Sequence, residues 1–135
     1  MQMNTLHHAV KISASRDVVW RALSNIGEMK AWHEGSVEGD IAPGLILTLK
    51  PKADIQFSWR TDKLEPQTLL VQTCIEGPGT SPGKVLTFSV SDLEEGGVLV
   101  QLSDGEWQLN DPHLPFCNTY WGEVLFRLKT HAEKG

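Results

Sequence analysis

The sequence predicts an α+β fold: a curved antiparallel sheet of about six or seven strands wrapped around a long C-terminal helix, with two short helices after the first strand. Between residues 36 and 102, apolar and polar side chains alternate, as they do in strands that bury one face. Gly, Pro and Asp-Gly turn signals interrupt this alternation at short intervals, which is typical of hairpins. After residue 112 the apolar side chains recur instead at helical spacing.

The N-terminal quarter predicts one strand and two helices. Residues 3–13 alternate as a strand does. Ser15 is suited to cap the helix that follows, because its hydroxyl can accept a hydrogen bond from a free backbone N–H group. Asn25 and Gly27 interrupt that helix, so a second short helix is expected over residues 28–33.

From residue 36 onward a series of about six antiparallel strands is expected, with alternating runs at residues 45–49, 55–59, 69–75, 86–90 and 98–102. The final helix carries an apolar stripe from Cys117 to Leu128, with basic side chains near its C-terminal end, where they suit the helix dipole. Because a curved sheet needs a cover on its apolar face and only this helix is long enough, we expect the helix there.

Length and composition narrow the class of protein. The 135 residues predict a single domain over residues 1–135. A net charge of −5, from 12 Lys and Arg against 17 Asp and Glu, argues against a nucleic-acid binder. With no signal peptide, no membrane-spanning stretch and two unpatterned cysteines, the sequence predicts a cytoplasmic protein with free thiols. Tryptophan supplies five of the ten Phe, Trp and Tyr side chains, and this high share indicates either a bulky core or an aromatic-lined cavity.

The sequence lacks the motifs of several enzyme classes. It contains no GxSxG elbow, no GxGxxG after a strand and no Rieske-type set of Cys and His. The glycine-rich hairpin loop at residues 77–84 lacks phosphate-loop spacing, and its two prolines remove N–H groups that a phosphate would need. His113 and Cys117 have helical spacing but no third metal ligand nearby. We therefore predict no catalytic residue, no metal site and no cofactor.

An ordered set of short motifs resembles a known family. The motifs are Ile12-Ser13-Ala14, Val19-Trp20, Ala22-Leu23, Trp32, Gly39-Asp40, Pro43-Gly44, Leu64-Glu65-Pro66 with Leu69, Thr87-Phe88-Ser89-Val90, and Trp121 with Leu125, Leu128 and Lys129. In this order they resemble the START-like (SRPBCC, Bet v 1-like) superfamily with its helix-grip fold, and within it the C-terminal domain of the activator of Hsp90 ATPase. Two departures are Ser15, where that branch usually has Pro, and Gly97-Val98, where it usually has Gly-Thr.

The resemblance implies a cavity between the sheet and the last helix, in which members of the superfamily bind lipids, hormones or polyketides. The residues expected to line it and to bind a small hydrophobic molecule are Trp32, His33, Phe57, Trp59, Phe88, Trp107, Tyr120 and Trp121. Plain core packing explains the same aromatic side chains without a ligand. Trp20 and Trp32 also suit a role as anchors of the helices on the sheet.

Three functions stay open from the sequence. The leading hypothesis is a binding protein for a small hydrophobic molecule. An enzyme similar to the polyketide cyclases and dehydratases of the superfamily would need polar groups in the cavity, for which the candidates are His33, Arg60, Tyr120 and Glu123. A co-chaperone-like protein-interaction module is implied only by the name of the family branch, and the sequence does not predict an oligomeric state.

Overall fold

The computed structural model describes residues 3–134, which form seven strands and three helices. The strands are β1 (Met3–Ile12), β2 (Ser36–Gly39), β3 (Ile46–Lys52), β4 (Ile55–Glu65), β5 (Leu69–Glu76), β6 (Val85–Asp92) and β7 (Val98–Gln108). The helices are α1 (Arg16–Ser24), α2 (Ile26–Trp32) and α3 (Leu114–Glu133). None of these helices is both long and apolar enough to cross a membrane. The outermost residues of the predicted domain, 1, 2 and 135, lie outside the described part of the chain.

All seven strands belong to one sheet with the order β1-β7-β6-β5-β4-β3-β2. Every neighbouring pair is antiparallel. From β2 to β7 the chain runs as a series of consecutive hairpins, and β1 pairs with the last strand, so that Val10 lies opposite Val100. Because α3 packs on this sheet and two short helices follow β1, the predicted helix-grip α+β class is confirmed.

Helix α3 covers the apolar face of the sheet. Its buried side chains are Trp121, Val124, Leu125, Leu128 and Ala132. Their spacing of three or four residues is that of one helical face. Phe116 and Phe126 lie off this face and are 75% and 66% exposed. Near the C-terminal end, Lys129 Nζ donates to the backbone oxygen of Lys11 at 2.8 Å, which fastens α3 to β1.

One residue, Asn25, separates α1 from α2. Its backbone ends α1, and its Oδ1 accepts a hydrogen bond from the backbone N–H of Glu28 at 3.1 Å, which caps α2. This double role starts α2 at Ile26, earlier than the predicted span of 28–33, and the expectation that Gly27 interrupts the helices is wrong because Gly27 lies inside α2. Trp32 Nε1 donates to the backbone oxygen of Ala22 at 2.9 Å, so the indole ties the two helices together.

Gly39 at the end of β2 and Gly44 in the connection to β3 both have positive φ but different surroundings. Gly39 has a φ of +93°, and a Cβ there would lie 2.1 Å from the backbone oxygen of Ile46. Gly44 has a φ of +84°, and a Cβ there would meet nothing within 4 Å. Position 39 therefore needs glycine for space as well as for backbone conformation.

We expect Gly39→Ala to lower the free energy of unfolding more than Gly44→Ala does. Both changes place alanine in the left-handed region, at a cost of about 1–2 kcal/mol. Gly39→Ala also forces β2 away from β3, because its methyl group would overlap a backbone oxygen. Urea unfolding of both variants beside the parent measures the two losses, and equal losses would contradict the prediction.

Candidate functional site

Seven of the eight residues predicted to bind a ligand form one connected set of rings between the sheet and α3. Phe57 stacks on Tyr120 with 5.8 Å between ring centroids, and Trp59 meets Trp121 edge-on at 5.8 Å. The other members are Trp32, His33 and Phe88. Ring pairs in these geometries stabilise a core beyond the effect of the area they bury.

The sequence pattern explains how the central rings meet. Phe57 and Trp59 are two residues apart on β4, so both side chains point to the same face of the sheet. Tyr120 and Trp121 are neighbours on α3, at the N-terminal end of its buried stripe. The helix therefore brings two rings onto the two rings that the strand presents.

Trp107, the eighth residue, joins the site through a buried carboxylate that sequence reasoning missed. Trp107 Nε1 donates to Asp104 Oδ2 at 3.2 Å, and Trp121 Nε1 donates to the same oxygen at 2.9 Å. Asp104 is 2% exposed, and its Oδ1 has no hydrogen-bond partner within residues 3–134. One carboxylate on β7 thus holds an indole of the sheet and an indole of the helix.

A bulge in β7 brings Trp107 to the same side as Asp104. Asp104 pairs with Leu6 and Trp107 pairs with Asn4, so the step along β7 is one residue longer than the step along β1. Without this extra residue, positions 104 and 107 would face opposite sides of the sheet. The available signal was that Asp104 comes two residues after Leu102 and so continues the buried side of β7.

Burial raises the pKa of Asp104 above its ordinary value. The two indole hydrogen bonds and the charge of Lys84 oppose this effect but do not cancel it. Lys84 Nζ lies 4.2 Å from the centroid of the Trp107 ring, which places a cation on the outer side of the same cluster. The Asp104 carboxyl therefore holds its proton more tightly in the folded protein than in the unfolded chain.

Three successive spaces lead inward beside α3. The outermost, the mouth groove, has a volume of about 640 Å³ and is lined by Glu34, Pro51, Lys52, Ile55, Phe57, Pro78, Ser81, His113, Phe116, Cys117, Thr119, Tyr120 and Glu123. The next, the polar chamber, has about 10 Å³ and is lined by Phe57, Trp59, Ser81, Lys84, Asp104, Trp107, Cys117, Tyr120 and Trp121. The innermost, the apolar void, has about 20 Å³ and lies mainly among leucines and aromatic rings of the core.

The interior cavity that the family resemblance implied is nearly filled. The polar chamber and the apolar void each have room for about one water-sized group. The rings expected to line a cavity occupy it instead. Phe57 and Tyr120 lie between the mouth groove and the polar chamber, and Trp59 and Trp121 lie between that chamber and the apolar void.

The predicted ligand-binding residues divide among these three spaces. Those that line the mouth groove are Phe57 and Tyr120. Those that surround the polar chamber behind it are Trp59, Trp107 and Trp121. Those that line the apolar void are Trp32, His33 and Phe88. A ligand in the mouth groove can reach the last six only if the outer rings move, although Trp32 also lines a separate groove between α2 and α3. Ligand binding by all eight stays a prediction.

The four polar residues considered for an enzyme do not meet in one place. His33 is buried beside the apolar void, and burial lowers its pKa, so its ring is neutral at pH 7. The expectation that Arg60 points into the cavity is wrong, because Arg60 pairs with Asp62 at 2.7 Å near the surface. Tyr120 and Glu123 do line the mouth groove.

The two cysteines are poorly suited to act as nucleophiles at the site. Cys117 and His113 both line the mouth groove, but burial raises the pKa of the Cys117 thiol to about 12 and that of Cys74 to about 11. A thiol with a raised pKa is a poor nucleophile at pH 7. Among the described residues, no group of three or more His, Cys, Asp or Glu side chains is placed to hold a metal ion.

The loop between β5 and β6 forms one wall of the mouth groove and is tied to the start of α3. Thr80 Oγ1 donates to a carboxylate oxygen of Asp111, and the other oxygen of Asp111 accepts from the backbone N–H of His113 at 2.9 Å. Lys84 Nζ donates to the backbone oxygen of Thr80 at 2.9 Å. These bonds hold two walls of the groove together.

A comparison with known protein families shows which family the chain belongs to. Residues 13–133 match the family model described as activator of Hsp90 ATPase homolog 1-like protein. The chain belongs to this family. The resemblance noted in the sequence is therefore confirmed. No curated protein is significantly similar to the chain.

Several solved structures share the fold of the chain at low sequence identity. The Aha1 dimer from Colwellia psychrerythraea is 21% identical with a TM-score of 0.84, and the alignment covers 97% of each chain. MLL2253 from Mesorhizobium loti is 16% identical with a TM-score of 0.83, over 97% of this chain and 98% of that one. DynU16, from the dynemicin biosynthetic locus, is 17% identical with a TM-score of 0.83, over 96% of this chain but 47% of DynU16.

We expect the Asp104→Asn variant to gain free energy of unfolding relative to the parent as the pH rises from about 4 to 7. In the parent, the Asp104 carboxyl contributes most to the stability of the fold below its ordinary pKa of about 3.9. That stability is lost as the pH rises through the raised pKa that the carboxyl has in the folded protein. Asparagine keeps an oxygen for the indoles and does not ionise. Urea unfolding at several pH values measures the difference in free energy of unfolding.

Asp62→Asn is the control with the opposite sign. Hydrogen bonds from Thr73 and Arg60 lower the pKa of Asp62. Its contribution to the stability of the fold is therefore present above its ordinary pKa and is lost as the pH falls. This variant should lose stability relative to the parent toward pH 7. The same pH trend in both variants would contradict the role assigned to burial at Asp104.

Proposed function

We propose that the chain binds a small hydrophobic molecule in the mouth groove. The observation that carries this proposal is the groove itself, with about 640 Å³, a mostly apolar lining and a floor made by the stacked rings of Phe57 and Tyr120. Sites for small ligands have volumes of roughly 300–1,000 Å³, and apolar walls with a few polar groups.

Phe116 supports a role for the groove in binding. It is 75% exposed although its ring is fully apolar, and it stands in the groove wall. A ligand in the groove would cover this ring and remove apolar surface from water, which favours binding. Ile55 and Pro51 on the β3 and β4 side supply further apolar surface to the same ligand.

A second groove, of about 680 Å³, lies between α2 and α3 but is less suited to a hydrophobic molecule. Its lining includes Arg127, His131 and Lys134, and it is more open to solvent than the mouth groove. Phe126 stands in this second groove and not in the mouth groove. The same helix thus offers a matched comparison between two exposed phenylalanines.

The alternatives have less support than ligand binding. An enzyme similar to the cyclases would have Tyr120 and Glu123 in the groove, but His33 and Arg60 lie elsewhere. The co-chaperone-like alternative rests on family membership. A cytoplasmic location is part of the proposal, since Cys74 and Cys117 are free thiols, as is usual in a reducing compartment.

Titration with N-phenyl-1-naphthylamine, a neutral dye that fluoresces in apolar surroundings, tests the proposal. We expect saturable binding by the parent and about fivefold to tenfold weaker binding by Phe116→Ser, because that change removes an apolar wall of the groove. Dye fluorescence against protein concentration gives both dissociation constants.

Phe126→Ser is the matched control and should bind the dye as the parent does. Both phenylalanines are exposed, so neither change should shift the free energy of unfolding by more than about 0.5 kcal/mol. No saturable binding by the parent, or equal weakening in both variants, would contradict binding in the mouth groove.

A further inference from the structure

Three buried polar atoms around the polar chamber have no hydrogen-bond partner within residues 3–134. They are Asp104 Oδ1, Trp59 Nε1 and the hydroxyl oxygen of Tyr120. All three residues line the chamber, and Trp59 and Asp104 are 3% and 2% exposed. Because buried polar groups in proteins are nearly always paired, three such atoms around one void suit a polar atom supplied by another molecule.

The three atoms have complementary hydrogen-bonding roles. The indole N–H of Trp59 only donates, a carboxylate oxygen of Asp104 only accepts, and the Tyr120 hydroxyl can do both. A single hydroxyl group matches this set, since it can donate its proton to Asp104 and accept from Trp59. A ligand carboxylate would bring like charge beside Asp104, and an ammonium group could not accept from the indole.

The size and position of the chamber fit the same group. Its volume of about 10 Å³ has room for about one water-sized group, such as a hydroxyl. Four residues line both the chamber and the mouth groove: Phe57, Ser81, Cys117 and Tyr120. One layer of side chains therefore separates the two spaces, and displacement of the Phe57–Tyr120 ring pair would join them.

We propose that the ligand of the mouth groove is an apolar molecule that bears a hydroxyl group, and that this hydroxyl enters the polar chamber. There it donates a hydrogen bond to Asp104 Oδ1 and accepts one from Trp59 Nε1. The inference rests on the proposed function, because the apolar body of the ligand occupies the same groove. It adds the chemistry of the ligand's polar end.

Calorimetric titration with 2-naphthol and 2-methylnaphthalene tests the inference, because the two compounds differ by a hydroxyl in place of a methyl group. We expect the parent to bind 2-naphthol about tenfold more tightly, as one or two net buried hydrogen bonds allow. In nitrogen-15 NMR spectra, the indole N–H signal of Trp59 should shift much more with 2-naphthol. The spectrum of Trp59→Phe assigns that signal.

Variants of the chamber and of the groove should behave differently. Tyr120→Phe and Asp104→Asn should each reduce the preference for 2-naphthol by about threefold or more. Tyr120→Phe removes a hydroxyl from the chamber, and Asp104→Asn, whose oxygen faces the indoles, places an NH2 donor where the ligand hydroxyl needs an acceptor. Phe116→Ser should weaken the binding of both compounds and leave the preference for 2-naphthol unchanged. Tyr120→Phe keeps the ring that stacks on Phe57 and removes a hydroxyl without a partner, so it should fold, and thermal unfolding checks this.

The outcomes separate the inference from the proposed function. Equal affinity of the parent for the two compounds would overturn the hydroxyl site and leave binding in the groove intact. A preference for 2-naphthol that neither chamber variant reduces would also overturn it, because the hydroxyl would then be recognised elsewhere. Failure of both compounds to bind would overturn the inference, whereas loss of dye binding as well would overturn the proposed function.

Discussion

The carboxylate of Asp104 joins the two layers of the protein, because it accepts one indole hydrogen bond from β7 and one from α3. A shift of the helix would leave the buried N–H donor of Trp121 unpaired, at a cost of about 1–3 kcal/mol, and would take from Asp104 one of its two indole partners. Trp121 is thereby fixed, and its neighbour Tyr120 is held over Phe57. The floor of the mouth groove thus follows from the interaction that holds the helix on the sheet.

The high tryptophan content has different causes at different positions. Trp32 ties α2 to α1 through its indole nitrogen, whereas Trp107 and Trp121 share one carboxylate. Trp59 lies between the polar chamber and the apolar void, and its indole nitrogen has no partner within residues 3–134. The sequence indicated either a bulky core or an aromatic-lined cavity, and the structure combines a filled core with a groove that has an aromatic floor.

Periodicity predicted the layers well because each element buries one face. Ser15 also caps α1 as expected, with Val18 N–H donating to its hydroxyl at 3.3 Å. The pairing of Asp104 with Trp107 was not predictable, since the bulge changes the alternation of β7 after Asp104. The position of Arg60 was predictable, because it follows Trp59 on β4 and so faces the other side of the sheet. Cavity volume depends on contacts of an ångström or less between rings, which residue types do not specify.

Strand β1 can find its place in the sheet only after β7 has been synthesised. Among the described strands it lies at one edge of the sheet, beside β7, and Ile12 is opposite Val98. Closing so long a stretch of chain is costly in entropy, and pairings of this kind fold slowly. During translation the apolar side chains of β1, such as Leu6, therefore leave the ribosome well before β7 has been made to pair with their strand.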